Sequence, residues 1–298
     1  ENVTVHSLGK EQGASRVSRF FQYRKLLIEH LPHADGVFFH MCPEYVLAAY
    51  WLPKKFGKKS LLWYVHKQVS VRLRLAALLV NKIFTASKES CRLKSHKVQV
   101  VGHGIDTDFL APVAASVAKP QRVRLFTAGR IAPVKDLRTL ISGFFELKKK
   151  LPTVELRLAL FGTPITETDR KYQAELQALT ASSSDILWGK AYHTSLREFY
   201  KDVGGGLTVF VHASRTGSMD KAVLEALAAG LPVFTSSEAF TEDMGVLKFR
   251  QGNAADFAEK LSRAFLQGEL VINTAGSAYV RENHSLTRLV QKIIAFYA

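Results

Sequence analysis

The sequence predicts an α/β protein in two domains, each a parallel sheet with helices on both faces. Three observations carry this reading. Short apolar runs of strand length alternate with helical patterns along the whole chain. Residues 207–237, LTVFVHASRTGSMDKAVLEALAAGLPVFTSS, read as one strand, a loop, a helix and a second strand. Residues 112–121, small and lacking aromatics, read as a linker that divides 298 residues into two parts of ordinary domain size.

In the first part, residues 2–8, 36–40, 60–66, 82–86 and 97–101 read as strands. Residues 14–31 carry Val17, Phe20, Phe21, Leu27, Ile28 and Leu31 at helical spacing. Residues 43–52 and 71–80 read as further helices. In the second part the strands fall at 122–127, 154–161, 186–188, 207–211, 232–235 and 246–249, with helices between them that include 136–150 and 254–267. The final helix, about 285–298, is apolar at Leu286, Leu289, Val290, Ile293, Ile294 and Tyr297.

Apolar residues make up 47% of the chain and charged residues 22%, which fits a globular protein with a real core. No run approaches the roughly 18 apolar residues that cross a bilayer. No stretch reads as a secretory signal. Cys42 and Cys91 lack a CxxC or His-rich setting, so neither a zinc site nor a disulfide framework is expected. A cytoplasmic protein, peripheral at the inner membrane face, is the expectation.

The formal net charge is +15. Residues 1–110 hold 17 Lys/Arg against 8 Asp/Glu, more than half of the excess. A polyanion or an anionic membrane surface suits such a charge. Nucleic acid is the rival, but no helix-turn-helix, zinc-finger or RNP signature supports it, so none is expected as a partner. A basic surface that only solubilises remains the plain alternative. Lys54, Lys55, Lys58 and Lys59 bracket Phe56, and VRLRLAALLV from Val71 joins two arginines to leucines. Together these make a basic, greasy surface, although a helix packed on its sheet explains the second run equally well.

Four segments, in order, resemble the retaining glycosyltransferases of the GT-B fold, in particular glycosyltransferase family 4 (group 1). VLEALAAGLPVFTSS (223–237) is similar to that family's nucleotide-sugar segment. VVGHGIDTDFLAP (100–112) resembles its hinge, and LFTAGRIAPVKDLRTLISGF (125–144) its diphosphate segment. DILWGKAYHTSLREFYKDV (185–203) resembles the elements flanking its base pocket. The resemblance implies two Rossmann-like domains whose sheets face a cleft. Residues 1–111 would be the N-terminal acceptor-side domain, 112–121 the linker and 122–298 the nucleotide-sugar domain, with the final helix packing back on the first. The chain starts at Glu1, and fewer residues precede the hinge than in that family. The expectation is therefore a truncated first domain, lacking a strand, glycine loop and helix and associating with another copy or another chain.

The candidate residues follow. Arg130 and Lys135 follow a strand, and Gly129 permits a tight turn. A guanidinium with an ammonium suits a diphosphate. Glu225 matches the Glu that holds the ribose diol, which a carboxylate can bind by accepting two hydrogen bonds. Where the family carries another Glu, this chain has Gly217. Thr216, Ser218, Met219, Asp220, Lys221 and Leu224 surround or follow it, and a helix start there can meet a phosphate or sugar. Lys190 and Ala191 match the base loop. His66, at the end of SLLWYVH, matches the family's active-site histidine, and His40 is a second candidate. His103 lies at the hinge between Gly102 and Gly104. Gly204 to Gly206 precede a strand and read as a plain turn.

The resulting expectation is a retaining, metal-independent hexosyltransferase that uses a UDP- or GDP-linked sugar and no cofactor. Its acceptor would be a lipid-linked or other glycan, or a protein. Two alternatives stand beside it: a catalytically reduced GT-B subunit that supports a partner transferase, and a nucleotide-sugar epimerase of similar fold. The latter needs acid/base carboxylates that the segment around Gly217 lacks.

Overall fold

A computed structural model describes residues 2–110, 121–189, 206–217 and 219–298. The chain forms two compact units, Glu1–His103 with Arg288–Ala298, and Gly104–Thr287. The division falls between His103 and Gly104. Residues 111–120, nearly all of the expected linker, lie outside the described residues.

The first unit holds α1 (Arg16–His30), β1 (Gly36–His40), α2 (Pro43–Ala49), α3 (Leu52–Lys55), β2 (Lys59–Trp63), α4 (Val71–Leu79), β3 (Lys82–Thr85) and β4 (Val98–Val100). Its four strands pair in parallel in the order β1-β2-β3-β4. Side chains alternate across the sheet. Phe39, Leu62 and Ile83 meet Val46, Leu73 and Ala76 of α2 and α4 on one face. Leu61, Trp63 and Phe84 meet Leu289, Ile293 and Phe296 of the final helix on the other. Tyr297 Oη donates to Val37 O at 2.7 Å, closing that second face. The start of α4 is capped by Ser70, whose hydroxyl accepts from Leu73 N. Its end is closed by Lys97, whose Nζ donates to Ala77 O (2.8 Å) and Val80 O (2.7 Å).

One expectation for this unit is corrected. Residues 2–8 form no strand, and Val3 and Val5 are 84% and 86% exposed. An alternating run becomes a strand only where a neighbour can accept its ladder bonds, and none of the described strands pairs with it. The helix expected at 14–31 forms as α1. Val17, Phe20, Phe21 and Ile28 are exposed, and only Tyr23 and Leu27 touch the unit's core.

The second unit holds β5 (Arg122–Ala128), α5 (Leu137–Lys150), β6 (Glu155–Phe161), α6 (Glu167–Thr180), β7 (Ile186–Gly189), β8 (Leu207–His212), α7 (Lys221–Ala228), β9 (Val233–Thr235), β10 (Leu247–Lys248), α8 (Ala254–Leu266) and α9 (Thr274–Asn283). The final helix, α10, is Leu286–Tyr297. The sheet is parallel throughout, in the order β10-β9-β8-β5-β6-β7. Leu125 points to the face covered by α5, α6 and α8, and its neighbour Phe126 to the face covered by α7 and α9. Strands buried on both faces read as continuous apolar runs, which is why LTVFVH is fully buried.

The α5 face is held by aromatic rings. Phe257 lies 5.3 Å from Phe234 and 5.1 Å from Phe249, ring centre to ring centre. Gly143 lets α8 come close, since a Cβ there would stand 2.4 Å from Phe257 Cδ1. We predict that Phe257→Ala costs about 3–5 kcal/mol and lowers the thermal midpoint of the second unit. A melt within a degree or two of the unsubstituted protein would contradict this.

Candidate active site

The site in the second unit is built where three neighbouring strands, β8, β5 and β6, present their C-terminal ends, the place where open parallel sheets bind ligands. After β5 the chain turns at Gly129, whose φ of 148° suits glycine. Gly129 N donates to Phe161 O at the end of β6 (3.0 Å). The two loops touch so closely that a Cβ on Gly162 would stand 2.0 Å from Gly129 O. Arg130 follows, then a short helical turn, Pro133–Lys135, that ends at Lys135.

Arg130 is anchored from behind. Its Nε and Nη2 both lie 2.8 Å from Asp169 Oδ2. Asp169, 2% exposed, belongs to the capping box that starts α6, and the same oxygen accepts from Ile165 N and Thr166 N. Burial pushes its carboxyl up. The two amides and the Arg130 guanidinium outweigh that and take it down to about 2. The Arg130 side chain itself is 43% exposed, so the guanidinium is fixed at one edge and open at another.

Lys135 is held similarly. Its Nζ donates to Asp220 Oδ2 at 2.6 Å, across 85 residues of sequence. Asp220 is the residue from which α7 starts. The same oxygen is 2.6 Å from Nε2 of the buried His212, at the end of β8. Burial pushes the Asp220 carboxyl up, but the bond from His212 and the charge of Lys135 hold it well below the usual carboxylate range. A third carboxylate clamps the two loops. Asp136, 1% exposed and in the left-handed region at φ 42°, accepts from Thr139 Oγ1 (2.9 Å) and Arg215 Nη2 (3.0 Å). Arg215 N donates to Val134 O (2.9 Å). The loop before α7 is thus fastened to the loop that carries Lys135.

Between these groups lies a cavity of about 160 Å³. Gly129, Arg130, Lys135, His212, Asp220 and Lys221 are among its lining residues. Glu225 is half-buried and shares the Lys221 and Ala222 face of α7, one turn on. The Leu224 side chain is fully buried in the core and Met219 packs there too, so neither side chain faces a ligand. Gly217 has φ 55° and does not line the cavity. Lys190, Ala191 and Ser218 lie outside the described residues.

His66 belongs to the first unit, beyond the end of β2, in a cleft shared with Met41, Glu44, Tyr64 and Arg72. Its Nδ1 accepts from Gln68 N (3.1 Å), so the neutral ring carries its proton on Nε2. His40 ends β1, exposed. Met41 beside it adopts φ 63°, a strained value for a side-chain-bearing residue, and its Sδ accepts from Val65 N (3.2 Å).

Sequence reading missed Asp136, Asp169, His212 and Arg215. For Asp169 the signal was the Thr166-x-x-Asp169 spacing of a capping box. For His212 it was a lone polar ring ending an apolar strand.

Residues 122–267 match the family described as "Glycosyl transferases group 1". The chain carries a group 1 glycosyltransferase domain. Solved structures of the GT-B architecture resemble the described chain. Anabaena Alr3699/HepE in complex with UDP is 15% identical, with 92% of this chain and 81% of that one covered at a TM-score of 0.70. Sucrose-phosphate synthase from Thermosynechococcus elongatus is 15% identical, with 95% and 79% covered at 0.68. A glycosyltransferase from Rickettsia africae is 16% identical, with 99% and 83% covered at 0.68. No curated protein sequence matches the chain. This glycosyltransferase therefore has the fold its sequence predicts.

The Asp169 anchor sets an acid dependence. Its carboxyl titrates at about 2 when folded and at about 3.9 when unfolded. The stabilisation is complete above that unfolded value and is lost as the pH falls toward the folded one. The thermal midpoint of Asp169→Asn should therefore fall less than that of the unsubstituted protein between about pH 5 and pH 2.5. Parallel midpoint curves would show that the anchor carries no such linkage.

Proposed function

We propose that this glycosyltransferase moves a sugar, with retention at the anomeric carbon, from a nucleotide-diphosphate donor to an acceptor hydroxyl, without a metal. One observation carries the reading. Arg130, Lys135 and Lys221, with the start of α7, converge on one cavity at the strand ends, and buried carboxylates fix the first two. An anion meets donors already aimed at it, so little reorganisation opposes binding or the departure of the diphosphate. Three cations and a helix start take the charge role that a metal takes elsewhere. Glu225, one turn further along α7, is placed by this reading on the ribose diol. On this reading the base lies toward Trp188 and Gly189, at the end of β7.

The solved structures of Anabaena Alr3699/HepE with UDP and with UDP-glucose support a nucleotide-sugar donor for this fold. A uridine or guanosine diphosphate sugar is the donor class assigned here. The acceptor hydroxyl is held on the same face of the sugar that the diphosphate leaves, which gives retention through positioning. His66 of the first unit, with Nε2–H to donate, is the active-site histidine of this reading.

A second part of the reading concerns the acceptor's setting. The first unit shows basic and apolar side chains together. Lys55 Nζ stands 5.2 Å from the centre of the Trp51 ring, and Arg24 lies over Phe20 at 5.6 Å. On α4, Val71, Leu75 and Leu78 are exposed at helical spacing beside Arg72 and Arg74. This combination suits an anionic lipid surface and a membrane-borne glycan acceptor. Among the described residues no helix is long and apolar enough to cross a membrane.

Two outcomes are expected. Arg130→Ala or Lys135→Ala should each remove about 1.5–3 kcal/mol of donor affinity, roughly 10- to 150-fold. Calorimetric titration with UDP- and GDP-sugars checks this, and unchanged affinity in both variants would overturn the donor site. Sedimentation with vesicles should show binding to anionic but not neutral lipid, weakening with salt, at about 1 kcal/mol for each basic group at the surface. Equal binding to both lipids, or none to either at low salt, would remove the membrane assignment.

A further inference from the structure

Asp220 opens α7 and does not cap it. Aspartate is among the side chains that best accept from the amides of a helix's first turn, yet the Asp220 side chain accepts none of them. Its backbone stays extended (φ −77°, ψ 133°), and Val223 N and Leu224 N bond to its carbonyl instead. The carboxylate is drawn aside, with Oδ2 at 2.6 Å from both His212 Nε2 and Lys135 Nζ. The amides of Lys221 and Ala222 come from two residues that line the cavity, and they belong to the donors that a helix start leaves unmatched.

His212 is built to hold this arrangement. The ring is 3% exposed. Its Nδ1 lies 2.9 Å from Thr235 Oγ1 on the neighbouring strand β9, and that oxygen also accepts from Ser237 N (3.1 Å). An ionised carboxylate can only accept, so Nε2 carries the proton given to Asp220, and in the neutral ring Nδ1 accepts from the Thr235 hydroxyl. Two core strands therefore fix the ring, and the ring fixes the carboxylate.

We propose that His212 is a positioning residue for the donor's phosphates. It keeps the Asp220 carboxylate off the start of α7, so that the first-turn amides and Lys135 meet a phosphate rather than an internal anion. Without the imidazole, rotation about the Asp220 side chain brings its carboxylate onto those amides. A negative charge then occupies the place of the ligand's own. This rests on the donor site proposed above and adds that the site depends on a buried residue that acts through Asp220.

The test uses the full chain and two probes, inorganic pyrophosphate and UDP, titrated against His212→Ala, Asp220→Ala, the double variant and His212→Gln. His212→Ala should weaken both probes about tenfold or more, the scale of a lost charged hydrogen bond. The double variant should recover most of that loss and match Asp220→Ala within about threefold, since it has no carboxylate to fall onto the helix. His212→Gln, which can still donate to Asp220, should stay within about threefold of the unsubstituted protein. A merely structural histidine would show no recovery on removing Asp220, because a second deletion does not refill a cavity. Unchanged affinity in His212→Ala, or a double variant no better than it, overturns the proposal. If His212→Ala does not fold, His212→Gln against the Asp220→Ala/His212→Gln pair carries the comparison, and a Gln variant as weak as a null also overturns it. Pyrophosphate following the pattern while UDP does not bind would leave this inference standing and sink the uridine nucleotide reading. UDP binding without recovery would do the reverse, and binding of neither probe to the unsubstituted protein sinks both.

Discussion

The second unit depends on one constraint: a carboxylate cannot be taken out of water without a partner. Asp136 and Asp169 are 1% and 2% exposed, and Asp220 is largely covered. Each satisfies the constraint by taking a cation from a loop at the strand ends: Arg215, Arg130 and Lys135 respectively. The cost of burying the acid thus becomes the geometry of the base. A guanidinium or ammonium with one side tied to a buried oxygen has few orientations left, and Arg130 and Lys135, tied in this way, both line the cavity. Surface ion pairs elsewhere on this protein, such as Arg72–Glu44, have both partners exposed and fix little.

The sheet supplies the rigidity behind these loops. With β8, β5 and β6 adjacent and parallel, three loops leave at one edge within reach of each other. The phenylalanine cluster on the α5 face and the alanine-rich α7 on the other hold that edge in place. Close packing also sets limits, since Gly129 and Gly162 approach so nearly that a side chain on Gly162 would collide with the backbone of Gly129. Loops that carry chemistry are most effective on such a frame, where the strands move little and the side chains at their ends inherit that order.

The first unit is organised differently. Its core is closed on one face by α2 and α4 and on the other by the chain's final helix, with Tyr297 reaching Val37. Outside that core it keeps a large amount of apolar and basic surface on α1, α3 and α4. A single exposed leucine needs no explanation, but an apolar row beside arginines and lysine–aromatic pairs marks a surface suited to a partner.

The alternation of strand-length apolar runs with helical spacing was enough for the α/β class, the parallel sheets and nearly every element from Gly36 onward. It was enough because burial on both faces forces such patterns. The segments 125–144 and 223–237 pointed to Arg130, Lys135 and Glu225 through their resemblance to a family, and the fold brings Arg130 and Lys135 to one cavity. The sequence misled where a local pattern needed a distant partner, as with the strand expected at 2–8. What only the tertiary structure decided is who holds whom. Lys135 meets Asp220 across 85 residues because β5 lies beside β8, and Arg130 meets Asp169 across 39 because β5 also lies beside β6. His212 reaches Thr235 because β8 neighbours β9. Spacing along the chain contains no trace of these pairs. They arise from strand order, which is set when the whole sheet buries its two faces at once.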